Sequence, residues 1–335
     1  MMNKETEILN RTRILHILEF LRHKSDEQHP VDTGEIIEYL NSVGINAERK
    51  AIYKDITALQ EFGLNIIKTH TPKNGCFLVP SEFEDIEIEL LSDIVASSGL
   101  VFQNKAESLL KKLGHFTSDY KTEKMRNTIY VNRANVNENP KIYYIVDSLR
   151  RAIDNRKKVV VSYSKYTLQN NKIITTQKEH TVNPYALIWS DDLYYLICNN
   201  EKYNNLMHLR VDRIKSITET KEPIRHFSEV SQYKYKFDTA DYVKQAFNMF
   251  GGEKQRIDLE CDKDLLPQMV DKFGKNIFVR PSDNENTFRF STEALVSEGL
   301  LGWIMQFGGG IKIIHPKEVV QQLKDSISLL QDIYK

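Results

Sequence analysis

The stretch Asn46-Ala47-Glu48-Arg49-Lys50-Ala51-Ile52-Tyr53-Lys54-Asp55-Ile56, followed by Leu59 and Gly63, decides how the first quarter of the chain is read. Ile52, Ile56 and Leu59 recur at i, i+4 and i+7, which lines up one apolar stripe of an α-helix. Arg49, Lys50, Tyr53, Lys54 and Thr57 then fall on the opposite face. Cations and hydrogen-bonding side chains concentrated there suit phosphate contact and base-edge reading. A solvated helix face is also usually charged, so the neighbouring elements must separate the two readings.

Upstream, Ile14, Leu15, Ile17, Leu18 and Leu21 place a stripe at helical spacing. Asp32 with Glu35 three residues on forms a capping-box signature, Ile36, Ile37 and Leu40 supply the buried face of a second helix, and Gly44 stops it. The third helix covers 46–62 and ends at Gly63. Downstream, 64–68 and 76–79 read as strands joined through Thr71-Pro72-Lys73-Asn74-Gly75, where Asn-Gly would supply a tight turn. Three helices and a hairpin in this order make a winged helix-turn-helix, whose third helix enters the major groove of DNA. Lys68, His70 and Lys73 sit near the hairpin tip, with Lys73 placed for the DNA backbone. Residues 1–80 hold 10 Lys plus Arg against 11 Asp plus Glu, so binding rests on local placement and needs a dimer to gather phosphate contacts.

The whole chain has 335 residues with 46 Lys plus Arg and 46 Asp plus Glu, a formal net charge of zero. Its length predicts two or three domains, and its 41% hydrophobic content predicts cored globular ones. No apolar run reaches the ~18 residues of a membrane span. The polar start lacks a secretory signal, which makes the cytoplasm the expected compartment. Cys76, Cys198 and Cys261 form no CxxC pair and read as buried thiols.

Residues 81–140 read as a helical linker ending in the polar run 132–140. Residues 141–221 begin with a helix, 142–153, and continue as short strands rich in Val, Ile and Tyr, the pattern of a small barrel. Residues 222–335 form a C-terminal α+β domain, with strands at 255–261, 277–279, 287–290 and 310–314 and helices at 295–307 and 316–334. The fold class is thus multidomain α+β.

From 141 to 220 the count is 13 Lys plus Arg against 8 Asp plus Glu, the most basic part of the chain. Four strands stand out: Val159 to Tyr163, Glu179 to Tyr185, Leu193 to Cys198 and His208 to Ile214. By period two, Arg210 and Asp212 share one face and Leu209, Val211 and Arg213 the other. Tyr194 and Tyr195 alternate, so at least one belongs to the core. Cations beside aromatic rings on strands suit an anion or stacked bases.

The leading helix, the His180-to-Tyr185 strand, the Tyr194-Tyr195-Leu196 triplet and the Arg210-Val211-Asp212-Arg213-Ile214 end resemble the WYL domain, a small Sm-like β-barrel of bacterial transcription regulators, with Tyr194 where the family's Trp usually stands. The stretch from Ala47 to Ile56 resembles the winged helix of these regulators, with Ala51 replacing a frequent Thr. Ser297-Glu298-Gly299-Leu300-Leu301-Gly302-Trp303-Ile304, with Phe307-Gly308 and Ile314-His315-Pro316, resembles the extension that follows WYL. The resemblance implies a barrel that senses a nucleic-acid or nucleotide-like anion and alters DNA binding by the winged helix. It also implies effector contacts at Tyr163, His180, Arg210 and Arg213. The last two differ by an odd number, so both reach one face only if one lies past the strand end or at a bulge.

No HExxH, P-loop or GxSxG motif occurs, and the His and Cys show no metal-ligand clustering. Gly308-Gly309-Gly310 reads as a turn, Asp191-Asp192 as a hairpin turn, and Trp303 as core. The expected protein is a ligand-responsive regulator, not an enzyme, with no cofactor and no metal. It would bind a palindromic double-stranded operator as a homodimer, without a membrane partner. The alternative is a single-strand or RNA-binding module that uses the barrel as its main surface.

Overall fold

A computed structural model describes residues 4–80, 82–98, 103–128 and 139–335. The chain divides into two compact units, Met1–Glu138 and Asn139–Lys335. The polar run expected as a linker, 132–140, lies mostly outside the described residues.

The first unit opens with α1 (Lys4–Lys24), α2 (Thr33–Ser42) and α3 (Arg49–Glu61), then the hairpin β1 (Ile66–Thr69) and β2 (Gly75–Leu78). Ile17 and Leu21 of α1, Ile36 and Leu40 of α2, and Ile52, Ile56 and Leu59 of α3 form one core with Ile66, Cys76 and Leu78. The capping box of α2 is complete: the Asp32 carboxylate accepts from Gly34 and Glu35, and Glu35 accepts from the Asp32 amide. Gly44 and Gly63 end α2 and α3 at positive φ, +81° and +107°.

The hairpin departs from expectation. Asn74 and Gly75 have no positive φ, and Gly75 already belongs to β2. A Cβ on Gly75 would lie 2.6 Å from the Val31 carbonyl oxygen, because Val31 pairs with Cys76 beside the hairpin. Glycine is needed there for close backbone approach, and the turn is the longer 70–74 loop. Three helices follow, α4 (Asp85–Ser97), α5 (Gln103–Leu113) and α6 (Asp119–Thr128). The N-terminal end of α6 is fastened to the end of α1 and the loop after it: Ser118 donates to buried Asp26 (2.6 Å), and Lys24 and Lys121 pair with Asp119 and Glu27.

The second unit starts with α7 (Ile142–Asp154), whose buried Ile142, Ile145, Leu149 and Ala152 recur at helical spacing. Five strands follow, β3 (Lys157–Gln169), β4 (Lys172–Ser190), β5 (Leu193–Asn199), β6 (Met207–Arg210) and β7 (Ile214–Pro223). They form an antiparallel sheet in the order β6-β5-β4-β3-β7. Asn170-Asn171 and Asp191-Asp192, all at positive φ, make the two-residue turns between β3, β4 and β5. The edge strands β6 and β7 are joined by one 3-10 turn, Val211–Arg213, so the sheet must curl until its edges nearly meet. That turn replaces the continuous strand expected through Ile214.

Beyond it come α8 (Thr239–Gln245), β8 (Glu253–Asp262), α9 (Leu266–Phe273), β9 (Arg280–Pro281), β10 (Thr287–Val296), α10 (Glu298–Met305), β11 (Ile311–His315) and α11 (Lys317–Ile333). The second sheet has the order β11-β8-β10-β9. Residues 277–279 are not a strand, since β9 begins at Arg280. Leu295 belongs to β10, not to a helix, and Ser297 caps α10 by accepting from Leu300. Trp303 packs on the core of this sheet, as expected. Ala186, Ile188 and Ile197 of the first sheet meet Tyr242, Ala246, Met249 and Leu295 in a shared apolar cluster.

Candidate nucleic-acid interface

Burial of Ile52, Ile56 and Leu59 turns the opposite face of α3 outward, and Arg49, Lys50, Tyr53, Lys54 and Thr57 are all exposed. Arg49, Tyr53 and Thr57 form one i, i+4 ridge, with the Arg49 guanidinium carbon 6.0 Å from the centre of the Tyr53 ring and the Thr57 hydroxyl donating to the Tyr53 carbonyl. Lys50 and Lys54 form the ridge beside it. The Tyr53 phenol is held below its ordinary pKa by a hydrogen bond with Thr33 and then by Arg49. Among the described residues, Arg49, Lys50, Lys54 and Lys68 make no salt bridge. The helix itself is pinned from behind: Arg13 of α1 donates Nε and Nη2 to the two Asp55 carboxylate oxygens at 2.6 and 3.2 Å. At the hairpin tip, His70 bonds Asn74 and the Lys73 ammonium lies 2.7 Å from both Glu35 oxygens. Lys73 therefore already has a partner, and Lys68 on β1 is the open cation of the hairpin.

In the second unit, Val161 and Tyr163 of β3 lie opposite His180 and Lys178 of β4. The Tyr163 and His180 rings meet edge to face, 6.3 Å between centres. Partial burial, then Lys178 and Lys165, lower the His180 pKa. Arg210, opposite Tyr195 at the end of β6, donates Nε and Nη2 to Asp212 at 3.2 and 2.8 Å. That hydrogen bond raises its pKa, and the Tyr195 and Tyr163 phenols act in the same direction. Arg213 lies in the 3-10 turn, past the strand end, with its guanidinium carbon 6.0 Å from the centre of the Tyr166 ring. Tyr163 and Tyr166, three apart on a regularly paired strand, face opposite ways. Tyr163, His180 and Arg210 are thus grouped, while Arg213 stands with Tyr166.

Residues 144–219 match the WYL domain, residues 253–330 the WCX domain, and residues 5–71 the D3 domain of FokI. The WYL and WCX matches, in this order along the chain, support a WYL-domain transcription regulator family. No curated protein matches it significantly. Among solved structures it is similar to the proteasome accessory factor B/C of Arthrobacter aurescens, at 18% identity and a TM-score of 0.28, over 96% of this chain and 48% of that one. It spans about half of that protein's length. It is also similar to a CRISPR Cas-related protein, at 10% identity and a TM-score of 0.35, over 100% of this chain and 86% of that one.

Within the WYL domain, His180 borders a cavity of about 270 Å³ with Asn200, Tyr203, Asn205 and Met207, while Tyr163, Arg210 and Arg213 are not on its wall. Sequence reasoning passed over Lys165, Lys178 and Tyr166. Their signal was the period-two alternation of β3 and β4, which continues past the core strands into the exposed hairpin end. Among the described residues, no group of His, Cys, Asp and Glu could hold a metal ion, and no helix is long and apolar enough to cross a membrane.

Proposed function

We propose that this WYL-domain protein reads a two-fold operator through α3 and that an anionic effector, a nucleotide or a short nucleic acid, tunes that reading from the WYL sheet. The observation that carries the proposal is the α3 surface. Arg49, Lys50 and Lys54 project from a helix that Arg13 and Asp55 hold in place, and none of the three is neutralised by a carboxylate among the described residues. Tyr53 and Thr57 add hydrogen-bonding groups beside them. Such a face supplies phosphate contacts and base-edge donors at once. Lys68 would reach the backbone directly, and Lys73 would do so by exchanging Glu35 for a phosphate. On the WYL sheet, Tyr163, His180 and Arg210 offer two aromatic rings and a cation to an anion, and Arg213 would join them only by leaving the Tyr166 ring.

The test is a fluorescence-anisotropy titration against duplex from the protein's own promoter region, at two salt concentrations, with and without a short single-stranded oligonucleotide. The Arg49→Ala, Lys54→Ala double variant should bind more weakly and lose about 2 from its log-log salt slope per protomer, since each phosphate contact contributes roughly 0.9. An unchanged affinity and slope would refute the reading. His180→Ala should leave effector-free operator binding intact and abolish the response to the oligonucleotide. Tight oligonucleotide binding with no discrete duplex site would shift the function to the WYL sheet as the main nucleic-acid surface.

A further inference from the structure

The antiparallel ladder between β3 and β4 runs further than the sheet around it. β3 pairs with β7 only as far as Tyr163, and β4 pairs with β5 only from Asn183 onward, while their own pairing continues to Gln169 and Lys172. Residues 164–169 and 172–177 are therefore a two-stranded arm of six residue pairs, about 20 Å long at ~3.4 Å per residue. From Lys165 to Lys178 every residue except half-buried Ile174 is exposed. A two-stranded ribbon without further cover gains little stability of its own, so packing does not account for the arm.

Its two faces differ. Cross-strand partners share a face, which puts Lys165, Lys172 and Lys178 together on one side, with Thr167, Gln169 and Thr176 between them. Tyr166, Leu168 and Ile173 occupy the other side, where the Arg213 guanidinium sits over the Tyr166 ring. Residues 164–178 carry three Lys and no Asp or Glu, in a chain whose charges balance at 46 each. None of the three makes a salt bridge among the described residues.

We propose that the lysine face of this arm is a second contact for duplex DNA, separate from α3, and that it lies in the major groove. That groove is about 12 Å wide and admits a two-stranded ribbon. The lysines then reach phosphates, while Thr167 and Gln169 present hydrogen-bonding groups to base edges. A single strand is instead held by stacking its bases on aromatic rings, and the arm's one ring, Tyr166, lies on the face away from the lysines. The inference does not depend on the α3 reading, since α3 and the arm belong to different units.

Fluorescence anisotropy of the full chain on duplex DNA across a salt series tests it. The Lys165→Ala, Lys172→Ala, Lys178→Ala triple variant should lose about 2.7 from its log-log salt slope per protomer, at roughly 0.9 per phosphate, and bind at least tenfold more weakly in about 0.1 M salt. All three positions are exposed, so the variant should keep the wild-type circular dichroism spectrum, and Arg at the same three positions should keep the wild-type slope. On duplex RNA, whose deep major groove is too narrow for side chains, wild type and triple variant should differ by less than about twofold. An unchanged slope on duplex DNA overturns the proposal. So does a loss as large on duplex RNA or on a single strand of the same length, which would make the arm a general polyanion track. If Arg49→Ala, Lys54→Ala leaves duplex binding untouched while the arm variant weakens it, the operator reading through α3 falls and this one stands.

Discussion

Replacing Arg13 by Ala should loosen α3 without touching its outer face. The Arg13 and Asp55 side chains are only 22% and 16% exposed, and two hydrogen bonds join them. Removing the guanidinium leaves the Asp55 carboxylate half enclosed with its charge unanswered. Breaking a fully buried pair costs roughly 3–5 kcal/mol, and water still reaches this one, so a loss of about 2 kcal/mol is expected. At about 1.4 kcal/mol per factor of ten, α3 amides that exchange by local opening should exchange about 30-fold faster. Hydrogen exchange read by mass spectrometry on peptides covering residues 49–61 gives this directly. Arg13→Lys should recover only part of the protection, since one ammonium cannot reproduce the two-pronged contact. In a double-mutant cycle with Asp55→Ala, the coupling should exceed about 1 kcal/mol. An exchange rate in Arg13→Ala within threefold of wild type would refute the claim that this pair holds α3 in place.

Gly75→Ala forces a methyl to within 2.6 Å of the Val31 carbonyl oxygen and should cost about 1–3 kcal/mol of first-unit stability, read by denaturant titration; an unchanged midpoint would mean the close approach relaxes freely. Because burial and two lysines lower the His180 pKa from its ordinary 6.5, the folded state resists protonation, and His180 should erode stability as the pH falls below about 6.5. An anion seated on the imidazole reverses that preference, so effector affinity should rise as the pH drops from about 7.5 to about 5.5, by at most tenfold per unit, and His180→Gln should flatten the profile. In an NMR titration, Lys178→Ala should move the His180 midpoint upward; no movement would place Lys178 too far away to act. Burial raises all three thiols, Cys76 to about 11, Cys261 to about 12 and Cys198 further still, so the native protein should not react with a thiol-specific disulfide reagent at pH 8 on the timescale of minutes.

The three helices of the first unit were legible because period, capping box and stopping glycines agree with one another at Asp32, Glu35, Gly44 and Gly63. The hairpin strands were legible too, but the purpose of Gly75 was not: Asn-Gly is a local turn signal, whereas the contact with Val31 spans 44 positions of chain and leaves no local trace. The same limit explains Arg210 and Arg213. Their odd spacing posed the difficulty; Arg213 does lie past the strand end, in a 3-10 turn that connects opposite edges of a curled sheet, but it stands with Tyr166 and apart from Arg210. On α3 the exposed face could be read in full, since burial of every third or fourth residue fixes the remainder. Lys73 could not, because its partner Glu35 lies 38 residues earlier. The short helices α8 and α9 were missed, having seven and eight residues and so little room for periodicity to show.

The apolar cluster shared by the WYL sheet and the segment around α8 and β10 has a consequence for inheritance. A gene fragment ending after β7 would encode a WYL sheet whose Ala186, Ile188 and Ile197 lose their cover, and the product would aggregate instead of standing alone. Recombination can therefore attach this WYL sheet to a different N-terminal unit with little penalty only if the WCX portion travels with it.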